Sequence, residues 1–137
     1  MAHNFEFYAP TKVIFGKDAE KETGRQIKEW GAANVLIVYG GGSVKRSGLL
    51  EKVEKALSDE QIQFCELGGV VPNPHLDKVY EGIRIGRSKN VDFLLAVGGG
   101  SVIDTAKAIA YGLAEPEKDV WELFEHTRTA KMCIPVA

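Results

Sequence analysis

The chain has 137 residues, of which 45% are hydrophobic and 26% are charged, a composition typical of one soluble globular domain. Lys and Arg total 17 against 19 Asp and Glu, so no basic surplus favours nucleic acid as a partner. No apolar run approaches the roughly 20 residues of a membrane-spanning helix, and the first residues lack a secretory signal. Composition therefore favours a single cytoplasmic domain over residues 1–137 that binds neither nucleic acid nor a membrane.

The two cysteines, Cys65 and Cys133, lie far apart and belong to no CxxC motif. This spacing argues against a disulfide scaffold and against a zinc site. His75 and His126 are equally isolated, so no metal site is expected within this chain. Both cysteines are expected to be buried thiols, because free cysteine is among the most buried residue types.

The N-terminal pattern predicts a β-hairpin followed by a helix. Aromatic and β-branched residues alternate over Phe5–Phe15 around Pro10, which indicates two short strands joined by a turn. Over Asp18–Trp30 the charges are dense and the apolar positions sparse, which predicts an exposed helix capped by Asp18. Gly24 is expected to weaken the middle of that helix.

Buried strands and amphipathic helices are predicted to alternate along the rest of the chain. Unbroken apolar runs at Val35–Tyr39 and Phe93–Val97 indicate strands buried on both faces, and Gln61–Leu67 has strand composition. Three helices are predicted where apolar residues recur with helical spacing. These stripes are Leu50, Val53 and Leu57; Leu76, Val79 and Ile83; and Val102, Ala106, Ile109 and Leu113.

The C-terminal part is predicted to contain a short helical turn at Val120–His126 and one more strand at Met132–Ala137. The whole alternation indicates an α/β fold with a Rossmann-like, doubly wound, mostly parallel sheet and an N-terminal β-hairpin. Ligands of such sheets lie at the carboxyl ends of the strands. Function is therefore expected in the loops that follow Tyr39, Leu67 and Val97.

The sequence Gly-Gly-Gly-Ser-Val occurs twice, at 40–44 and at 98–102, each time directly after a predicted buried strand. Glycines there let backbone N–H groups approach an anion, and a helix N-terminus favours phosphate or pyrophosphate. Neither copy is a G-x-G-x-x-G fingerprint, since Lys45 and Ile103 occupy the third glycine position, and neither is a Walker A loop, since no G-K-[ST] occurs. The alternative for the second copy is a capping box of Ser101 and Asp104, and both readings can hold together.

The first copy also carries information about the nucleotide. A carboxylate at this strand end would accept the ribose hydroxyls of NAD and repel a 2′-phosphate, but Gly40 occupies the position. Lys45 and Arg46 lie just beyond and offer complementary charge, which favours NADP over NAD. The alternative is that both cations are merely solvated at a helix start. In the stiff loop 72–74, Asn73 is expected either to cap a helix or to hydrogen-bond a ligand.

Through these motifs the chain resembles the N-terminal domain of iron-containing (group III) alcohol dehydrogenases, especially the NADP-linked butanol dehydrogenase and aldehyde reductase branch. The resemblance covers essentially the whole chain, and it implies a dehydroquinate synthase-like N-terminal fold. Its motifs are Thr-Lys-Val-Ile-Phe-Gly at 11–16, Tyr-Gly-Gly-Gly-Ser-Val-Lys at 39–45, Val-Pro-Asn-Pro at 71–74 and Val-Gly-Gly-Gly-Ser-Val-Ile-Asp-Thr-Ala-Lys at 97–107.

The resemblance implies a role in binding the cofactor for eight residues. They are Gly99, Gly100 and Ser101 at the pyrophosphate, Asp104 near the nicotinamide, Asn73 in cofactor contact, and Gly40, Gly41 and Ser43 near the adenosine ribose or its 2′-phosphate. It also implies reversible hydride transfer between a primary alcohol and its aldehyde, with a divalent metal, iron, polarising the substrate oxygen. That metal is held in a helical domain that follows the nucleotide domain, so this chain is expected to stop before it and to be inactive alone.

Two other functions stay open at this point. One is a stand-alone nucleotide-binding or interaction module without turnover. The other is the glycerol dehydrogenase or dehydroquinate synthase branch, which shares Gly-Gly-Gly-Ser, although the 39–45 loop argues against it. A homodimer is also expected, because the aromatic edge strands of the Phe5–Phe15 hairpin are of the kind that another chain covers.

Overall fold

The computed structural model describes residues 4–73, 75–125 and 132–137. Three parallel strands form its central sheet in the order β2-β1-β3. The strands are β1 (Asn34–Tyr39), β2 (Gln63–Leu67) and β3 (Phe93–Val97). A 3₁₀ turn at Ala19–Glu22 precedes the helices α1 (Thr23–Glu29), α2 (Ser43–Arg46), α3 (Leu49–Asp59), α4 (Leu76–Ser88), α5 (Gly100–Ala114) and α6 (Trp121–Phe124).

The central strand β1 explains why both faces of the sheet are apolar. Val35 pairs with Phe64 on one side and with Phe93 on the other, so β1 has a strand at each edge. Successive side chains point to opposite faces: Leu36 lies in the core under α4 and α5, and Ile37 lies in the core under α1 and α3. The predicted doubly wound parallel sheet is therefore confirmed.

The layer formed by α1 and α3 packs through the predicted stripe of Leu50, Val53 and Leu57, all of which are buried. Gly24 lies where the two helices touch, because a Cβ at this residue would stand 2.0 Å from the carbonyl oxygen of Ala56. The glycine expected to weaken the helix thus permits its closest packing contact. The predicted cap is wrong: Asp18 has a left-handed φ of 59° and its side chain forms no cap hydrogen bond.

The opposite layer, α4 and α5, is held by glycines set against aliphatic side chains. A Cβ at Gly82 would lie 2.3 Å from Cδ1 of Ile109, and one at Gly112 would lie 2.3 Å from Cδ1 of Ile83. Both isoleucines are buried members of the predicted stripes. Full burial of each such side chain contributes about 1.5–3 kcal/mol to the stability of the fold.

The predicted N-terminal hairpin is wrong. Residues 4–15 form no strand in the described structure, and Phe5, Phe7 and Phe15 are 87%, 82% and 99% exposed. An alternating pattern gives a segment strand propensity, but a strand also needs a partner for its backbone N–H and C=O groups. Within the described residues this segment has none.

The strand predicted at Met132–Ala137 is observed only as a single bridge beside β3. Val136 forms a parallel bridge with Leu94, whose N–H donates to the carbonyl oxygen of Pro135 at 2.9 Å.

Cys133 is exposed and Cys65 is half-buried, so the expectation of two buried thiols is wrong. Burial nevertheless raises the pKa of the Cys65 thiol. The turn predicted at Val120–His126 is observed as α6, and His126 lies outside the described residues.

The amino edge of the sheet is closed by one carboxylate. Asp92 accepts hydrogen bonds from the backbone N–H of Ala33 at 3.0 Å and from that of Asn34 at 2.9 Å. The Asn34 side chain in turn donates to the carbonyl oxygen of Asn90. These contacts tie the starts of β1 and β3 together.

None of the described helices combines the length and apolar character needed to cross a bilayer.

Candidate nucleotide-binding site

The carboxyl ends of the three strands bring the predicted loops together at one edge of the sheet. The N–H of Gly69, after β2, donates to the carbonyl oxygen of Gly40, after β1, at 2.8 Å. A Cβ at Gly40 would lie 3.2 Å from the carbonyl oxygen of Val70 and 3.8 Å from Cγ2 of Val102. Gly40 therefore occupies the point where all three loops meet, and a side chain there would press on the neighbouring backbone.

The second Gly-Gly-Gly-Ser turn, after β3, leads into the 15-residue helix α5. The N–H groups of Val102 and Ile103 both donate to the carbonyl oxygen of Gly99 at 3.1 Å. In the described part of the chain, no acceptor faces the N–H groups of Gly100 and Ser101. A Cβ at Gly99 or Gly100 would meet no atom within 4 Å. The helix thus presents unpaired N–H donors at an open surface, where an anion is stabilised.

The predicted capping box at this turn is wrong. Gly99 is the N-cap residue of α5, and no side chain forms a cap hydrogen bond. Ser101 lies inside the helix, one residue after its first position, and its carbonyl oxygen accepts the Thr105 hydroxyl at 2.8 Å. Asp104 is exposed one turn further on. Neither Ser101 nor Asp104 is therefore committed to a structural cap.

The first turn, after β1, is open in a different way. Gly42 is the N-cap of α2, which begins at Ser43 and has only four residues. A Cβ at Gly41 would meet no atom within 4 Å, whereas one at Gly42 would stand 2.6 Å from Nη1 of Arg46. Space for a ligand therefore exists at Gly41 and Ser43, but α2 is too short to contribute much of a helix dipole there.

The side chains of Lys45 and Arg46 lie close to the residues of this turn. Nζ of Lys45 lies 5.4 Å from the centre of the Tyr39 ring, and the guanidinium of Arg46 lies against Gly42. A hydrogen bond with Tyr39 is the main cause that raises the pKa of Lys45. Lys45 and Arg46 thus lie close to the turn, and both are exposed.

Asn73 follows β2 in the same region and is exposed. Its φ of 58° is in the left-handed region, which Asn adopts more readily than most residues. The helix-capping alternative is wrong, because the N-cap of α4 is His75, and no side chain caps that helix. Pro74 lies outside the described residues. The Asn73 amide is thus not used by the helix that follows.

Sequence analysis missed an acidic pair beside the first turn. The Tyr39 hydroxyl donates to Oε2 of Glu66 at 3.4 Å, and Glu66 hydrogen-bonds with Glu54 of α3. That hydrogen bond, followed by burial, raises the pKa of Glu54 to about 7. The only available signal was the position of Glu66 near the end of a strand, since the pairing with Glu54 depends on how α3 crosses β2.

No iron site can be built from the residues that the structure describes. Over 4–73, 75–125 and 132–137, no group of three or more His, Cys, Asp or Glu side chains converges well enough to hold a metal ion. A divalent metal needs several such ligands around one point. The described residues therefore do not fit a metal centre, whereas the two open glycine turns fit a nucleotide.

The parallel sheet with helices on both faces and glycine turns at its carboxyl edge is the architecture of the Rossmann-like α/β class. Within that class, the chain belongs to the iron-containing alcohol dehydrogenase family, whose profile, "Iron-containing alcohol dehydrogenase", matches residues 10–137. The resemblance found from the motifs is thereby confirmed.

Individual relatives cover nearly all of this chain. A probable NADH-dependent butanol dehydrogenase 2 of Bacillus subtilis is 48% identical over 132 residues, which are 96% of this chain and 33% of that protein. The NADPH-dependent aldehyde reductase YqhD of Escherichia coli is 42% identical over 90% of this chain and 31% of its own length. The crystal structure of NADH-dependent butanol dehydrogenase A from Thermotoga maritima superposes with a TM-score of 0.93 at 41% identity, covering 97% of this chain and 33% of that one. The chain thus spans about a third of the length of these relatives.

Proposed function

We propose that this chain is the cofactor-binding portion of an oxidoreductase that transfers hydride between NAD(P) and a primary alcohol or aldehyde. The observation that carries the proposal is the open turn at Gly99 and Gly100, where N–H groups without an acceptor among the described residues begin a 15-residue helix. Membership of the iron-containing alcohol dehydrogenase family supports the reaction class. The names of relatives supply the substrate class, since they include butanol dehydrogenases and an aldehyde reductase.

The pyrophosphate is assigned to the second turn. The N–H groups of Gly100 and Ser101 have no competing acceptor within the described residues, and the absence of a Cβ at Gly99 leaves room for phosphate oxygens. Asp104, exposed one helical turn beyond, is assigned to the nicotinamide end. Asn73 is assigned to a cofactor contact, because its amide is exposed and caps no helix.

The adenosine ribose is assigned to the first turn, at Gly40, Gly41 and Ser43. No carboxylate follows β1 there to repel a 2′-phosphate, and Lys45 supplies a cation beside it. These features support NADP over NAD in our proposal. Relatives named as NADH-dependent and as NADPH-dependent occur at similar identity, so the preference is expected to be modest.

The bound cofactor supplies or accepts a hydride, and this chain contributes binding and orientation. The alternative of a stand-alone binding module is less favoured, because the matched relatives are named as dehydrogenases and a reductase. The substrate pocket and the metal are assigned to the remainder of a longer protein, as in relatives about three times this length. A cytoplasmic location also stays a prediction.

Calorimetric titration of the 137-residue chain with NADPH and with NADH, with and without a divalent cation, tests the proposal. Both cofactors are expected to bind, NADPH more tightly, and the cation is expected to change neither affinity because the described residues hold no metal site. Absence of binding by both cofactors would refute the assignment of the two turns. A strict requirement for the cation would refute the cofactor-only half-site.

We also propose that a second copy of the chain covers the N-terminal segment. Phe5, Phe7 and Phe15 are almost fully exposed, and such apolar surface usually marks an interface. Light scattering is expected to show dimers that dissociate when Phe5 and Phe7 are both changed to Ser. A monomer at high concentration in the unchanged chain would contradict this.

A further inference from the structure

Four side chains form a charged cluster beside the first turn, and only Lys45 among them has been assigned a part in binding the cofactor. Tyr39 is the last residue of β1, Lys45 lies on α2, Glu54 on α3 and Glu66 on β2. We call them the Tyr39 cluster. The ring of Tyr39 fills the space over Gly68, where a Cβ would stand 2.5 Å from ring carbon Cε2. The ring position is therefore fixed by the backbone of the neighbouring strand end.

Tyr39 connects the cation to the two carboxylates. The ammonium of Lys45 lies 5.4 Å from the centre of the Tyr39 ring, and the Tyr39 hydroxyl donates to Oε2 of Glu66 at 3.4 Å. Glu66 hydrogen-bonds with Glu54, and both carboxylates attract the ammonium of Lys45. Lys45 is thus shared between the glycine turn and an acidic pair.

We propose that Glu66, supported by Glu54, limits the preference for NADPH over NADH by competing with the 2′-phosphate for Lys45. The inference rests on the proposed function, which places the adenosine ribose at Gly40–Ser43. NADH carries no 2′-phosphate, so the competition affects NADPH alone. Glu66 is in this respect a positioning residue, since it acts through Lys45 and not on the cofactor.

The competition is expected to depend on pH. The groups that face Lys45 are Tyr39 from β1, Glu66 from β2 and Glu54 from α3, with Glu51 of α3 acting on Glu54. The proton on Glu54 is lost near neutral pH, because the hydrogen bond with Glu66 raises the pKa of Glu54 to about 7. Above that pH the pair carries more negative charge and holds Lys45 more strongly. The NADPH preference should therefore fall as the pH rises.

The test measures dissociation constants for NADPH and NADH with the unchanged chain and with Glu66→Gln, Glu54→Gln and Lys45→Met. Measurements at about pH 7 and about pH 8.5 keep the 2′-phosphate largely dianionic, since its second pKa is near 6. Glu117→Gln is the matched control, because Glu117 is exposed in the loop at the far end of α5. Circular dichroism confirms that each variant keeps the fold.

Glu66→Gln is expected to raise the NADPH-to-NADH affinity ratio about two- to fivefold, the range of exposed charge pairs, and to abolish its fall with pH. Glu54→Gln should act in the same direction, and Glu117→Gln should leave the ratio unchanged. In the Lys45→Met background, Glu66→Gln should have no effect on the ratio, because the cation through which it acts is gone.

The outcomes separate this inference from the proposed function. If the unchanged chain binds neither cofactor, the proposed function fails and the inference fails with it. If both cofactors bind but Glu66→Gln leaves their ratio and its pH dependence unchanged, only the inference is overturned. An equal effect of Glu66→Gln with and without Lys45 would also overturn it, since the carboxylate would then act on the cofactor directly.

Discussion

The two Gly-Gly-Gly-Ser-Val turns have the same five residues but different structures. After β3, the third glycine is already the first residue of α5, a helix of 15 residues. After β1, the third glycine is only the N-cap of α2, a helix of four residues. The second turn is thus built to stabilise an anion, and the first turn provides mainly space and a neighbouring cation.

The difference originates in the residues that follow each turn. Val102 is buried and begins a stripe that continues through Ala106 and Ile109, so packing against the sheet sustains α5. After Val44 the next three residues are polar, and Gly48, with a left-handed φ of 77°, follows the end of α2. A glycine motif therefore predicts an open turn. The apolar pattern that follows it decides whether the turn leads into a helix long enough to contribute a dipole.

The largest expected effect comes from alanine at matched glycines of the two turns. Gly98 has a φ of 151°, and a Cβ there would stand 2.9 Å from Cγ2 of Val102. Gly98→Ala should therefore lower the free energy of unfolding by about 2–3 kcal/mol. Its counterpart Gly40→Ala should cost less, about 1 kcal/mol, because a Cβ at Gly40 would come no closer than 3.2 Å to the carbonyl oxygen of Val70 and its φ is not left-handed. Urea unfolding measures both, and equal losses would contradict the proposed difference.

The next effect concerns affinity and is expected at the second turn. Gly99→Val adds a branched side chain in open space, at an extended backbone conformation that valine tolerates. Both NADPH and NADH should bind at least about tenfold more weakly, because the pyrophosphate would lose its place. Ala33→Val, at the amino edge of the sheet, is the control. Unchanged cofactor affinity in a folded Gly99→Val chain would show that the pyrophosphate binds elsewhere.

A smaller and more selective effect is expected at the first turn. Lys45→Met keeps the length of the side chain over Tyr39 but removes its charge. NADPH should bind about threefold more weakly and NADH with unchanged affinity, since only NADPH carries a 2′-phosphate. Titration with both cofactors checks this. Equal losses for both would mean that Lys45 contacts a part that the two cofactors share.

The smallest effect concerns stability near the first turn. The pKa of Glu54 rises from 4.5 to about 7 on folding, so its stabilising contribution is complete below pH 4.5 and is lost as the pH rises through 7. Glu54→Gln stays neutral at every pH. After solvent screening, the variant should gain about 0.5 kcal/mol over the unchanged chain at about pH 8.5 and nothing below pH 4.5. Thermal unfolding as a function of pH measures the difference, and parallel profiles would refute it.

The strands and the apolar helix stripes could be predicted because they depend on local periodicity. The strand at 93–97 has the predicted bounds, and Leu50, Val53 and Leu57 are buried as their spacing indicates. The meeting of the three loops also follows from parallel strands alone. These features need no knowledge of long-range contacts, because each element buries the face that its own sequence makes apolar.

The features that could not be predicted depend on partners distant in sequence. The alternation over Phe5–Phe15 could not reveal that the described chain offers this segment no strand to pair with. Serine and aspartate at the start of α5 suggested a cap at Ser101, but the helix begins at Gly100, two residues earlier than that cap implies. The link from Tyr39 to Glu66 arises only when β1 and β2 pair.

Asp92 gives the two edges of the sheet a chemical relationship. At the amino edge its carboxylate is an anion bound by the backbone N–H groups of Ala33 and Asn34. The carboxyl edge offers N–H groups of the same kind at Gly100 and Ser101, and under the proposed function their anion is the pyrophosphate of a cofactor from solution. The amino edge thus carries its anion as part of the chain. At the carboxyl edge, a bound ligand would stabilise the fold by an amount that increases with the ligand concentration.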